Sequence, residues 1–350
     1  MNQTIVGKAP ASRRWISAHI FYSSDPTPLL IECIAPLVDK LRAEDFISRY
    51  FFIRYWLAGP HVRLRLSPRE AISCGDVKAI VEEAIRSYLA RRPSLFDLDQ
   101  KALVPFYRRM FEVEYGRDAF TAKYGEDGEI PLYPNNSVRY FEYEPEYARY
   151  GGEHGIEVAE KHFEVSSDIV LQLLQSATGE TRSILLGHAL HLMLTMCYGF
   201  METDENASSF LYKYEEHWRR QYKEAIQRKE VFESKYVAMA EKLRRRVSRV
   251  RRLSDDPSGY STEIERRWAA HVKDLKTSIR ELAKTRRLEM PPVAEGEQAA
   301  LRFLLTNYLH MTNNRMGVTI SDEVYLSYLL RRAIEDSQVR ELDEAIIDKP

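Results

Sequence analysis

Arginine and histidine recur in this chain beside aromatic residues and tight glycine turns, in three phrases far apart: FFIRYWLAGPHVRLRL at 51–66, YEPEYARYGG at 143–152 and HMTNNRMG at 310–317. In the first, Arg63 and Arg65 alternate with Val62, Leu64 and Leu66. Period two puts both guanidiniums on one face of a strand and the aliphatic side chains on the other. Paired guanidiniums suit bidentate capture of carboxylates, and an ordinary solvated sheet face explains the same alternation. Arg54 lies across the hairpin, its facing undetermined, and His61 follows Gly59-Pro60, where a histidine more often steadies a turn than reacts.

In the second phrase, Glu146 and Arg149 precede Gly151-Gly152. The glycine pair permits a sharp turn and a close backbone approach. Glu146 reads best as half of a salt bridge, and Arg149 is able to reach a substrate carboxylate. In the third, Asn307, His310 and Asn314 fall on one helix face. Asn313, Asn314 and Arg315 lie where the helix meets Gly317, a plausible stop. A histidine beside amides and an arginine suits proton transfer. From the pattern alone, a single histidine in an apolar helix is more often a satisfied core residue.

These phrases need elements to hold them. WISAHIFY (15–22) reads as a strand and LLIECIAPLVDKLRA (29–43) as a helix that follows Pro28. RYFFIRYWL and HVRLRLS form a hairpin through Ala58-Gly59-Pro60. DVKAIVEEAIRSYLARR (76–92) is an amphipathic helix, and SVRYFEYEPE (137–146) a further strand. The order β-α-β-β-α-β predicts a ferredoxin-like split unit over 1–152, with a polar, irregular insertion near 93–136. From 153 to 350 the apolar spacing predicts helices, so the fold class is α+β: a ferredoxin-like sheet unit, then a mainly helical half.

Bulk properties narrow the class. The chain has 350 residues and a formal net charge of −1, so nothing global favours nucleic acid or a membrane surface. Cys33, Cys74 and Cys197 are isolated, which disfavours a disulfide framework or a cysteine zinc site. His188 and His191 suggest a metal pair, but their apolar neighbours favour burial and no metal is expected. The run Lys242–Arg252 reads as a solvated helix face, with contact to an acidic peptide second and RNA third. No signal-peptide core precedes Trp15 and no run reaches the roughly 18 apolar residues of a membrane span, so a cytoplasmic protein is expected. No phosphate loop, Ser-His-Asp order or CxxC motif is present.

Taken together and in order, the three phrases resemble the C-terminal domain of lantibiotic dehydratases, also found as a stand-alone thiopeptide-type bacteriocin biosynthesis protein. The resemblance runs from about Trp15 to about Ile334. It implies work on a precursor peptide with a leader, after a separate glutamylating dehydratase protein has esterified Ser or Thr with glutamate from tRNA. Direct tRNA contact by this chain is not expected, no cofactor is implied, and a homodimer is left open. The implied reaction is elimination of glutamate to give dehydroalanine or dehydrobutyrine. His310 falls at the matching place of the family's His-x3-Asn-Arg pattern, which makes it the catalytic candidate with Arg149, Arg63 and Arg65. Arg54, Arg315, Asn314 and His61 become substrate-binding candidates. Stand-alone relatives also include pyridine synthases, which join two dehydroalanines by a formal [4+2] cycloaddition. Because the histidine and arginine positions are all filled, elimination is favoured. A non-catalytic leader-binding scaffold is the third reading.

Overall fold

The computed structural model describes residues 14–96, 100–176, 182–222 and 229–347. Residues 1–13, residues 97–99 within the insertion's LFDLDQ, and 177–181, 223–228 and 348–350 lie outside the described residues. The chain divides into two units, Met1–Glu144 and Pro145–Pro350.

In the first unit, strand β1 is Ile16–Phe21. Helices α1 (Thr27–Leu29) and α2 (Ala35–Ala43) follow, joined through a π-turn at Leu30–Ile34. Strands β2 (Ile47–Tyr55) and β3 (His61–Pro68) form the hairpin. Helix α3 (Cys74–Arg91) starts where the Ser73 hydroxyl accepts from the Gly75 amide at 3.1 Å. Strand β4 (Ser137–Phe141) closes the sheet. The strand order β2-β3-β1-β4, antiparallel throughout, is that of the expected split β-α-β-β-α-β unit.

Period-two alternation decides which face is core. Ile16, Ala18 and Ile20 of β1, Phe52 of β2 and Val62, Leu64 and Leu66 of β3 are buried, on the face that takes α2 and α3. Each large aliphatic side chain there contributes about 1.5–3 kcal/mol. A one-residue slip of β3 would turn Arg63 and Arg65 into that core, so the register is strongly fixed.

The insertion is more ordered than the sequence suggested. It holds α4 (Gln100–Tyr115) and α5 (Arg117–Tyr124). Tyr107, Phe111, Phe120 and Ile130 form a small core of its own, with Trp56 stacked on Tyr107 at 5.8 Å. Aromatics at 107 and 111 share one helix face, a signal that Pro105 inside the helix and the Gly/Asp-rich stretch after it obscure.

The second unit is helical: α6 (Tyr147–Tyr150), α7 (Gly152–Ser176), α8 (Arg182–Met201), α9 (Asp204–Gln221), α10 (Lys229–Asp255), α11 (Glu263–Lys284), α12 (Glu297–Met316) and α13 (Ile320–Ile347). Gly151 and Gly152 sit at φ +87° and +81°, where a side chain is strained, and a Cβ at either would run into Leu288 or Glu289. Helix α11 opens with a capping box between Thr262 and Glu265. Helix α8 is long and apolar enough to cross a membrane, which the sequence reading missed. In this fold it is a core helix, 61% of its most apolar window being buried inside the protein. The basic run lies on α10, where Arg244 pairs with Glu241, Arg249 with Glu265 and Arg251 with Asp204. Lys242, Arg245, Arg246 and Arg252 of the run are exposed, so it is a solvated helix face with several of its guanidiniums ion-paired.

Candidate active site

The end of α12 is shaped by its stop signal. Gly317 takes the left-handed conformation at φ +78°. Its amide donates to the Asn314 carbonyl and that of Val318 to the Asn313 carbonyl, both at 3.0 Å, a Schellman closure. Helix α13 then starts at once, with Thr319 and Asp322 capping each other reciprocally. This tight hairpin sets the first turn of α13 beside the last turns of α12.

The result is a histidine–carboxylate pair. His310 Nδ1 lies 3.0 Å from Oε1 of Glu323, a residue with no exposed surface. The Tyr214 hydroxyl of α9 donates to the other carboxylate oxygen. Burial, then the Glu323 charge, pushes the Tyr214 phenol well above its ordinary range, so it stays a neutral donor. Glu323 thus accepts from both sides, which places the N–H of a neutral His310 on Nδ1 and its basic lone pair on Nε2. The imidazole packs on Trp218 at 4.9 Å, and its side chain is 29% exposed. His217, next to Trp218, is held below the ordinary histidine range by burial and then by His310.

Two other predicted residues lie near this pair. Asn307, Asn314 and His310 share the partly exposed face of α12, as their spacing required. Asn307 donates to the Arg149 carbonyl at 3.2 Å, tying α6 to α12, and Tyr150 stacks on Tyr308. The Arg149 guanidinium meets Glu146 at 3.4 Å and is about a third exposed. Arg315 is set apart from this surface. It is fully buried, donates to Ser167 and to the Met311 carbonyl, and lies over the Phe163 ring. Its surroundings are those of a core residue that braces α12 against α7.

The sheet face turned away from α2 and α3 carries the remaining candidates, and Ser17, His19, Phe21, His61 and Arg65 on it are all buried. Registers set Ser17 opposite Arg65, His19 opposite Arg63 and Phe21 opposite His61. Arg139 of β4 lies opposite His19 and adds a third guanidinium that the sequence reading did not place. Arg54 pairs with Val62, so it belongs to the other face, where it bonds Thr27 and meets Asp25 at 3.6 Å. His61 is committed inside the protein. Its Nδ1 lies 2.7 Å from the Gly59 carbonyl, which can only accept, so Nδ1 carries the proton. Burial, then Arg63 and Arg65, holds its pKa down to about 3 against the opposing pull of that carbonyl. The bare Nε2 therefore accepts from Arg63 Nε at 3.1 Å, while the Arg63 guanidinium lies 3.5 Å over the Tyr55 ring. His19, stacked on His61 at 4.9 Å, is lowered to about 2 by burial, then Arg63.

His188 and His191 make no metal centre with a third group: among the described residues no set of three or more His, Cys, Asp or Glu is placed to hold an ion. His191 instead faces Glu265 at 3.5 Å. The sequence reading missed Glu323, Tyr214 and Arg139. The signal for Glu323 was an acid on the same stripe as Ser327 and Leu330, which are buried.

Comparison with solved structures gives the fold's relatives. The pyridine synthase TbtD from thiomuracin biosynthesis matches 92% of this chain and 98% of its own, at 20% identity and a TM-score of 0.72. TsrL matches 93% of this chain and 95% of its own, at 17% identity and a TM-score of 0.66. The tRNA-dependent lantibiotic dehydratase MibB from Microbispora sp. 107891 matches 96% of this chain but only 29% of its own, at 18% identity and a TM-score of 0.56. Comparison with curated protein sequences returns no match. The sequence profile for the C-terminal region of lantibiotic biosynthesis dehydratases fits residues 15–334, nearly the whole chain. The protein therefore belongs to the lantibiotic biosynthesis dehydratase C-terminal family, a family of antibiotic-peptide biosynthesis.

Proposed function

We propose that this protein eliminates glutamate from glutamylated Ser or Thr of a ribosomally made precursor peptide, leaving a dehydroamino acid. The observation that carries this reading is the His310–Glu323 pair. In the elimination a base takes the Cα proton, its electron pair becomes the Cα=Cβ bond, the Cβ–O bond breaks and glutamate leaves as a carboxylate. His310 is suited to be that base. With Nδ1 bonded to Glu323, the basic lone pair of the neutral ring is on Nε2, and the positive charge it gains faces a buried carboxylate. Arg149, in the same unit as His310, is proposed as a cation for the developing enolate or the departing carboxylate, and Arg63 and Arg65 of the first unit's sheet are proposed as guanidiniums for substrate carboxylates, where planar geometry matters. A separate protein would install the glutamate, so this chain needs no nucleotide or tRNA of its own.

A second reading, pyridine synthesis from two dehydroalanines, is favoured by one observation. The pyridine synthase TbtD superimposes over 98% of its length, whereas the match to MibB spans 29% of that chain. The test presents purified protein with synthetic glutamylated peptide and, separately, with a peptide carrying two dehydroalanines, both with chelator present. Release of free glutamate supports elimination. Ring formation with leader expulsion and no glutamate release overturns it in favour of the cyclase. Turnover of neither, with retained leader binding, supports a scaffold.

A further inference from the structure

A second histidine stands at the edge of the His310 site. Tyr214, His217 and Trp218 are spaced so as to share one stripe of α9. That stripe faces the pair described above, because the Tyr214 hydroxyl bonds Glu323 and the Trp218 ring packs on His310. All of these residues belong to the second unit. Tyr214 and Trp218 are buried, but His217 keeps an exposed edge. Its ring meets the Trp218 indole edge-on at 4.9 Å, and His310 meets the same indole, tilted, at 4.9 Å. One indole is thus the common wall of two imidazoles.

The two rings differ in what lies behind them. His310 Nδ1 faces the buried Glu323 carboxylate at 3.0 Å, so a positive charge on that ring is balanced. Among the described residues, no hydrogen bond or ion pair holds the ring of His217. Enough of the ring is covered that burial, then the nearness of His310, then that of Arg220, holds it below the ordinary histidine range. Near neutral pH it is therefore an uncharged imidazole with one N–H to give. A cation at this position would oppose the charge that His310 has to gain, and a neutral donor does not. The N–H of a neutral imidazole polarises a carbonyl without adding charge to the site.

We propose that His217 is a further catalytic residue, whose N–H donates to the carbonyl oxygen of the substrate residue that loses its Cα proton. The proposal rests on the elimination reading above and deepens it. As His310 takes the Cα proton, the C–H electron pair moves towards the carbonyl and charge gathers on its oxygen, where the His217 N–H bonds it more strongly than in the ground state. The enolate then collapses: C=O re-forms, the electron pair becomes Cα=Cβ, the Cβ–O bond breaks and glutamate leaves as a carboxylate. His217 keeps its proton throughout, and the proton on His310 passes to water. The exposed edge of His217 is what lets a substrate carbonyl reach it.

The test compares wild type, His217→Ala and His217→Gln as full chains. Each is given synthetic glutamylated peptide, in ordinary form and with deuterium at the reacting Cα, and glutamate release is followed. In His217→Ala kcat falls about 100- to 1000-fold, the effect of one lost donor to a developing oxyanion, while KM stays within about threefold. His217→Gln, whose amide supplies an N–H, recovers about tenfold or more of that loss. The isotope effect on kcat rises in His217→Ala, because Cα deprotonation has become the slow step, whereas a merely structural loss leaves it at the wild-type value. Melting midpoints stay close to wild type, because the position is exposed. A His217→Ala protein that releases glutamate within about threefold of wild type overturns the role and leaves the elimination reading intact. A rate loss with an unchanged isotope effect and no recovery in His217→Gln does the same. A wild type that releases no glutamate overturns both.

Discussion

Glu323→Gln isolates the contribution of the buried carboxylate behind His310. An amide offers one acceptor oxygen where Glu323 offers two, yet both His310 and Tyr214 donate to it. One donor must then face an NH2 group, and the charge that balances protonated His310 is lost. Two unit charges about 4 Å apart at an effective dielectric of about 20 attract by about 4 kcal/mol. His310 has 29% of its side chain exposed, so solvent screens part of this and about 2–4 kcal/mol remains. At 1.36 kcal/mol per tenfold, kcat should fall about 30- to 1000-fold. The assay is glutamate release from glutamylated peptide under saturating conditions, beside His310→Ala as the reference for loss of the base. A thermal scan accompanies it, because a lost hydrogen bond to a charged group also costs about 1.5–3 kcal/mol of stability. A Glu323→Gln protein that releases glutamate within threefold of wild type, while His310→Ala is inactive, refutes the pairing.

Three further outcomes follow from the geometry. His61→Leu removes the acceptor that holds Arg63 Nε, whereas His61→Gln places an oxygen near Nε2, so KM should rise about tenfold in the first and less than threefold in the second, as read from initial rates. Equal defects in both would mean the ring itself is required. Gly151→Ala must hold φ near +87° and push Leu288 aside, costing at least about 1–2 kcal/mol and lowering the denaturant midpoint without changing the slope. The buried histidines make stability pH-dependent. Burial, then Lys161, lowers His271 to about 4, while burial, then His271, keeps His162 well below its ordinary range. Unfolding frees both to bind protons below about 6.5, so stability is full above that pH and declines as pH falls towards 4, by about 1 kcal/mol per unit for each. Denaturant titrations from pH 7.5 to 4.5 measure it, and a His271→Gln slope identical to wild type would refute the assignment.

Much of this architecture was legible because particular residues left one choice. Val62, Leu64 and Leu66 against His61, Arg63 and Arg65 announced a strand and its core face, and its hairpin announced the neighbour, but the burial of His61 and Arg65 on the opposite face was not legible. Arg54 was not legible. Strand β2 reads SRYFFIRY, with large apolar groups on both faces, so alternation carries no orientation there. Helix α4 hid behind Pro105. The face of α12 that carries Asn307, His310 and Asn314 was readable from spacing alone, but the burial of Arg315 on its other side was not. Glu323 was missed for a physical reason. Acids are expected in the first turn of any helix, where they meet its positive end, and Asp322 already filled that role. Only the tertiary contact with His310 and Tyr214 separates the two.

The central position of β1 sets the timing of folding. Its partners on β3 follow within about 50 residues, from Phe21 with His61 to Ile16 with Leu66, but its other edge waits for β4, with Ser17 paired to Phe141. About seventy residues, α3, α4 and α5 among them, are synthesised between β3 and β4. At roughly 5–20 residues per second the ribosome leaves that edge unpaired for about 4–14 s. Such an open edge is a template for pairing with other chains. An insertion with its own aromatic core can collapse during this interval without waiting for the sheet. The expectation is that soluble yield depends on that core: Phe120→Ala should raise aggregation during synthesis more than it lowers the activity of the molecules that do fold.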